Sequence, residues 1–221
     1  MPKKLNDMFT DPQLPERYVI TIGRSFGSGG RALGHALAER LGIDFYDKEL
    51  LHRAAEKAGL NPEYFERNDE RAPRFISGLI PFAMGYYPMS WFTDPSSISS
   101  DSIYKAQSDL IHELAAERPC VIVGRSADYV LRDLPNLVSI FVHAPMEECV
   151  RRIVGRGDCR DADAARTMAE RTNRLRANYY NFYTDKQWGH ATSYDLTLDS
   201  SRLPMSELVD MVVGYLRRRL K

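Results

Sequence analysis

The sequence predicts an α/β fold in which a five-stranded parallel sheet is covered by helices on both faces. Three observations predict it. Short apolar runs rich in β-branched residues (Tyr18–Ile22, Cys120–Val123, Val138–Val142, Asp195–Leu198) alternate with stretches whose apolar residues fall at helical spacing. Such runs suit strands buried on both faces, and their alternation with helices implies parallel pairing. Four glycines crowd into the nine residues from Gly23 to Arg31, directly after the first run. Finally, 221 residues with 43% hydrophobic and 27% charged content have the balance of one globular domain.

Taken in order, residues 1–16 are polar, lack the apolar segment of a secretory signal, and read as a mobile leader to a single domain at 17–221. Tyr18–Ile22 is the first strand, and the glycine-rich turn follows it. Leu33, Leu37 and Leu41 then mark a helix that Gly42 stops. Asp44–Tyr46 is a second short strand, feeding a helix from Asp47 to Ala58. Residues 61–101 form an irregular insert with a serine-rich turn at its end. A helix over 103–117 precedes the strand Cys120–Val123, and Val138–Val142 is the fourth strand. Pro145, Glu147 and Glu148 favour the start of a helix over 146–157. A second Arg-rich helix covers 161–180. Asp195–Leu198 is the fifth strand, and Leu208, Val209, Val212, Val213 and Leu216 mark the last helix.

Composition excludes several functions. Lys+Arg and Asp+Glu are each 30, so the chain is neutral and lacks the basic excess of a nucleic-acid or anionic-membrane binder. The longest uncharged stretch, Phe75–Thr93, is broken by Gly78, Pro81, Gly85 and Pro88 and does not read as a membrane span. The three cysteines form no C-x-x-C pair, which argues against structural zinc and for a reducing, cytoplasmic setting. Eleven large apolar side chains between Phe75 and Phe92 are too many to leave in water. They cover a substrate pocket, bury in a homo-oligomer interface, or pack as ordinary core.

Chemistry concentrates in two places. The first is the glycine-rich turn. Glycines after a strand let consecutive backbone N–H groups converge, and the following helix adds its positive end. Together they suit phosphate. Arg24, Ser25, Gly27, Ser28, Gly29, Gly30 and Arg31 are the candidates for that cradle. The standard phosphate loop G-x-x-x-x-G-K-[ST] is not matched, because Gly30 replaces the Lys and Arg31 the hydroxyl residue. Arg31 either reaches back as a surrogate cation or lies on the solvent face of the first helical turn. The second place is the run from Cys149 to Asn178, with eight Arg, no Lys and four acids. It reads as a lid over about 149–180, with Arg152, Arg171, Arg174 and Arg176 as candidates to neutralise a transferring phosphoryl group.

These blocks resemble the cytidylate-kinase-like family of P-loop, nucleoside-monophosphate-type kinases. The resemblance lies in Ile20–Arg31, Leu41–Leu51, Val121–Leu131, Phe141–Pro145 and Tyr194–Asp199, in that order. It implies a three-layer P-loop kinase fold and Mg²⁺-dependent phosphoryl transfer from ATP to a small phosphorylated acceptor, of which CMP is one form. By resemblance Asp47, Arg53 and Arg125 line the acceptor pocket. Ser126 and His143 stand where the family has Asp. Asp47 either reaches Mg²⁺ through water or caps the helix it precedes. The alternative reading is a nucleotide-binding regulatory or scaffold protein whose degenerate loop performs no transfer.

Overall fold

The computed structural model describes residues 11–47 and 100–221. The expected helix 47–58 beyond Asp47, Arg53, the aromatic segment 75–92, all but the end of the insert and the first ten residues lie outside the described residues. The elements are β1 (Val19–Arg24), α1 (Gly30–Leu41), β2 (Asp44–Tyr46), α2 (Ser100–Glu117), β3 (Cys120–Val123) and α3 (Ala127–Val130). They continue with β4 (Leu137–His143), α4 (Met146–Gly155), α5 (Ala162–Tyr183), a 3₁₀ turn at Ala191–Ser193, β5 (Leu196–Asp199) and α6 (Met205–Arg219).

The five strands form one sheet in the order β2-β3-β1-β4-β5. All pairs are parallel, with Ile22 opposite Val123 on one side and Ile140 on the other. Alternation along each strand divides the core. Ile20, Ile22, Val121, Val123, Ile140 and Val142 pack on one face with Leu33 and Leu37 of α1 and with Leu208, Val212 and Val213 of α6. Val19, Cys120 and Ile122 pack on the opposite face with Leu110, Ile111 and Leu114 of α2 and Ala127 and Val130 of α3. Each fully buried aliphatic side chain contributes about 1.5–3 kcal/mol, and eleven of the twelve largest among the described residues lie in the clusters on these two faces. A third, smaller cluster joins α4 to α5 through Val150, Ile153, Ala165 and Ala169, with Phe26 of the glycine-rich turn against it.

Local chemistry sets the element ends. Gly42 closes α1 at φ 65°, and the next N–H, Ile43, donates to the Ala38 carbonyl at 3.0 Å. Asp161 caps α5 by accepting from the Ala164 N–H at 2.8 Å. Several boundaries differ from the sequence reading. β1 starts at Val19 and runs on to Arg24, because β4 continues to pair with it there. Asp195 stays outside β5, its carboxylate accepting from the Ser139 N–H and hydroxyl, both at 2.8 Å. α5 continues to Tyr183, whose ring stacks on Tyr104 of α2 with centroids 4.2 Å apart. The four-residue α3 is too short to leave a periodic signal. Residues 11–16, assigned to the leader, touch the body: Asp11 pairs with Arg217 at 2.7 Å and Leu14 packs on the core.

Candidate active site

The site begins where β1 ends at the middle of the sheet. Gly27 and Gly29 take φ of 80° and 82°, which L side chains rarely adopt, and α1 starts at Gly30. The turn is held from several sides. The Ser25 N–H donates to the Val142 carbonyl at 3.0 Å, and the Phe26 N–H to Asn173 Oδ1 at 2.7 Å. The Ser28 carbonyl accepts from Ser200 Oγ and from Arg152 Nη1. A Cβ on Gly27 would lie 2.8 Å from the Cys149 carbonyl oxygen, so α4 packs directly behind the loop.

A cavity of about 880 Å³ opens above this turn. Of the residues singled out in the sequence, Arg24, Ser25, Gly27, Gly29, Gly30, Arg31, Asp47, Arg125 and Arg176 line it. Asp47 is 8% exposed and accepts from Arg31 Nε at 2.5 Å, with Arg24 Nη2 at 4.0 Å. Arg31 is therefore neither extended over the loop nor loose on the helix surface; its guanidinium is held at Asp47, although the side chain is 72% exposed. Arg125 follows β3 in an unusual backbone turn. Gly124, Arg125 and Ser126 have φ of 84°, 62° and 51°, two of them without the freedom of glycine. Burial lowers the Arg125 guanidinium to about 10, partly offset by Tyr179 and Asp47, and the group stays charged at neutral pH.

The other lid candidates divide. Arg176 lies over the Phe26 ring at 5.5 Å and donates to the Arg24 carbonyl at 3.3 Å. Arg171 and Arg174 are exposed and do not line the cavity. Arg152, expected to face the phosphoryl group, instead grips the back of the turn, and Ser28 is buried rather than lining the cavity. None of these four lines the cavity in this structure. For Arg171 and Arg174 the physical reason is α5's own stripe: Ala165, Ala169 and Thr172 are buried at helical spacing, Arg176 continues that line, and Arg171 and Arg174 fall off it. That stripe is legible in the sequence and would have separated the three.

Sequence reasoning missed Arg156, which caps α4, pairs with Asp158 at 2.7 Å and places its guanidinium 5.9 Å from the Phe26 ring. It also missed Asp128, Tyr180, Trp188 and Tyr194, which line the same cavity. Asp128 is 7% exposed and accepts from the Tyr180 hydroxyl at 2.6 Å. Burial pushes the Asp128 carboxyl above its ordinary value; the bond from Tyr180 and the charge of Lys186 act the other way. Trp188 also lines a smaller cavity of about 430 Å³ beside the first, together with His143. No periodic signal marks Trp188 or Tyr194, because both lie between elements.

A parallel sheet ordered 2-3-1-4-5 with a glycine-rich turn on its central strand, and cationic side chains gathered above that turn, defines a P-loop kinase. Residues 19–202 match the cytidylate kinase-like family, and the chain belongs to that family. It is similar to a cytidylate kinase of Methanosarcina barkeri (strain Fusaro / DSM 804), 28% identical over 197 residues that cover 87% of this chain and 93% of the relative. Among solved structures it is similar to an uncharacterized protein from Eubacterium ventriosum ATCC 27560, at 26% identity and TM-score 0.67, covering 90% of this chain and 98% of that one. A gluconokinase from Sinorhizobium meliloti 1021 shares the fold at 17% identity and TM-score 0.52, covering 92% and 93% of the two chains. A shikimate kinase from Acinetobacter baumannii in complex with shikimate does so at 15% and 0.51, covering 94% and 97%. The chain is thus a kinase, a phosphotransferase of the cytidylate-kinase-like class. Among the described residues, no helix is long and apolar enough to cross a membrane.

Proposed function

We propose that this kinase transfers the terminal phosphoryl group of ATP to a small phosphorylated acceptor of nucleoside-monophosphate type, with CMP among the candidates. The observation that carries the reading is the convergence of the glycine turn with Arg24, Arg31, Arg125, Arg156 and Arg176 on one cavity. The turn fits a polyphosphate, since Gly27 and Gly29 hold the positive φ that such a turn needs and α1 begins directly after it, while a Cβ on Gly27 or Gly30 would strike the neighbouring Cys149 or Arg24. Arg125 holds the acceptor phosphate. Its planar fork matches two phosphate oxygens with charge-assisted bonds. An acceptor oxygen attacks the terminal phosphorus in line, ADP leaves, and Arg156 and Arg176 meet the negative charge spread over the transferring group.

Mg²⁺ would travel with the nucleotide and neutralise its phosphates. Of the two carboxylates that line the cavity among the described residues, Asp47 faces Arg31 and Arg24, and Asp128 faces Tyr180. Both are engaged, so a water-mediated contact to Asp47 fits this donor set better than direct ligation. Ser126 and His143, in place of two family Asp residues, leave the acceptor's base open.

The second reading, nucleotide binding without transfer, is favoured by the loop's missing Lys and hydroxyl. A screen of nucleoside monophosphates and related phosphorylated metabolites for acceptor-dependent ADP release with Mg-ATP decides. Steady turnover with one acceptor supports the kinase reading, and ATP binding without turnover for any acceptor supports the other.

A further inference from the structure

We infer that Arg152 and Ser200 form a clamp that orients the donor-phosphate cradle by fixing the Ser28–Gly29 peptide from behind. The inference rests on the reading of the glycine turn as the donor site. Arg152 Nη1 donates to the Ser28 carbonyl at 2.8 Å and to Ser200 Oγ at 2.9 Å, and Nη2 donates to the Ser200 carbonyl at 3.0 Å. Its Nε pairs with Glu148 Oε1 at 2.7 Å, so all three guanidinium nitrogens are engaged. Ser200, at the end of β5, donates its own hydroxyl to the same Ser28 carbonyl. One carbonyl oxygen of the turn is therefore held by two side chains from two elements, one of them charged.

The consequence follows from peptide geometry. In a planar trans peptide the carbonyl and the next N–H point in opposite directions. With the Ser28 oxygen drawn toward α4 and β5, the Gly29 N–H is turned away from the clamp, toward the cavity that Gly29 lines and Arg152 does not. A carbonyl turned inward would instead oppose a phosphate with its own negative end. This orientation carries more weight here than in a standard phosphate loop, because Gly30 supplies no cation and backbone N–H groups must do more of the binding. Cys149 lies one helical turn before Arg152, and its carbonyl sets the close approach at Gly27. One face of α4 thus shapes both Gly27 and the peptide that follows Ser28. Arg152 and Ser200 are positioning residues, acting through the Ser28–Gly29 peptide.

Calorimetric titration of the full chain with inorganic tripolyphosphate tests this, alongside melting temperature and acceptor KM. Arg152→Ala should weaken tripolyphosphate binding about tenfold to hundredfold, the loss expected for a charged hydrogen-bonding group. Ser200→Ala should weaken it less but measurably, and both should leave acceptor KM near that of the wild type. Arg152→Lys keeps the charge and loses the fork, so it should not restore binding. If Arg152→Ala does not fold, Ser200→Ala and Arg152→Lys decide. A lowered melting temperature with wild-type tripolyphosphate affinity in those two variants overturns the clamp, as does full rescue by Lys. Failure of the wild-type protein to bind tripolyphosphate overturns the donor-site reading itself, and the clamp with it.

Discussion

A Cβ placed on Gly30 would lie 2.5 Å from the Arg24 Cβ and 3.2 Å from the Val142 Cβ, so the position that holds Lys in the standard loop has no room for a side chain. Arg24 also crowds Gly124 with its guanidinium. Restoring the lysine should therefore fail: Gly30→Lys should lower the melting temperature and weaken ATP binding, and tighter binding in calorimetry would refute the steric argument. The cation must come from elsewhere, and Arg31 is our choice, moving from Asp47 to the phosphates. Arg31→Ala should weaken ATP binding and remove turnover. Unchanged ATP affinity would show that the loop works without that cation and would favour the binding-only reading. Arg125→Ala should cost the acceptor about 1.5–3 kcal/mol while ATP affinity changes far less. Steady-state kinetics with a separate ATP titration checks the difference, and equal losses in both would sink the acceptor role.

Among elements, α3 and α5 are tied by the bond from the Tyr180 hydroxyl to Asp128. Tyr180 in turn stacks near Tyr194, with centroids 6.1 Å apart, and a Cβ on Gly23 would come within 3.2 Å of the Tyr194 ring. The bond thus sits between the Arg125 turn and Gly23, the first glycine of the glycine-rich run. Its carboxyl gives a pH dependence with a definite sign. Burial raises the folded-state pKa of Asp128 above the ordinary 3.8, so the native state holds this proton more tightly than the unfolded chain. The ionised form is a destabilising contribution that is absent below 3.8 and grows as pH rises through the folded-state value. Asp128→Asn should then raise the melting temperature at neutral pH, with the gain shrinking toward zero as pH falls toward about 4. A gain that is constant across the range would remove titration as its cause.

At the scale of the whole molecule, the sheet carries its apolar residues on both faces, and the two main clusters leave the strand ends free to hold polar chemistry. The third cluster is different: it joins α4 and α5 to Phe26, so the Arg-rich helices are packed against the glycine turn itself. Ligand at this junction should stabilise the entire chain. ATP at about one hundred times its Kd adds about 2.7 kcal/mol, roughly a 5–10 °C rise in melting temperature for a chain of this size. Thermal melts with and without Mg-ATP measure it, and no shift at saturating ATP would count against nucleotide binding to the native state.

The strands, the glycine turn and the first helix were legible in the sequence because each is set by local chemistry. A strand buried on both faces must be apolar throughout, and a turn with positive φ at Gly27 and Gly29 calls for glycine. Family membership was legible for the same reason, since it rests on those blocks and their order. The direction of the arginines was not. Arg152 turns behind the loop, while Arg156, four residues on, lies at the end of α4, where helical spacing no longer fixes its direction, and swings over Phe26. Asp128 and Tyr180 are 52 residues apart and meet only because α3 and α5 converge at the cavity. Sequence determined which groups are available at the strand ends. Tertiary structure decided which of them face the cavity, because a long charged side chain takes its direction from partners that other elements bring to it.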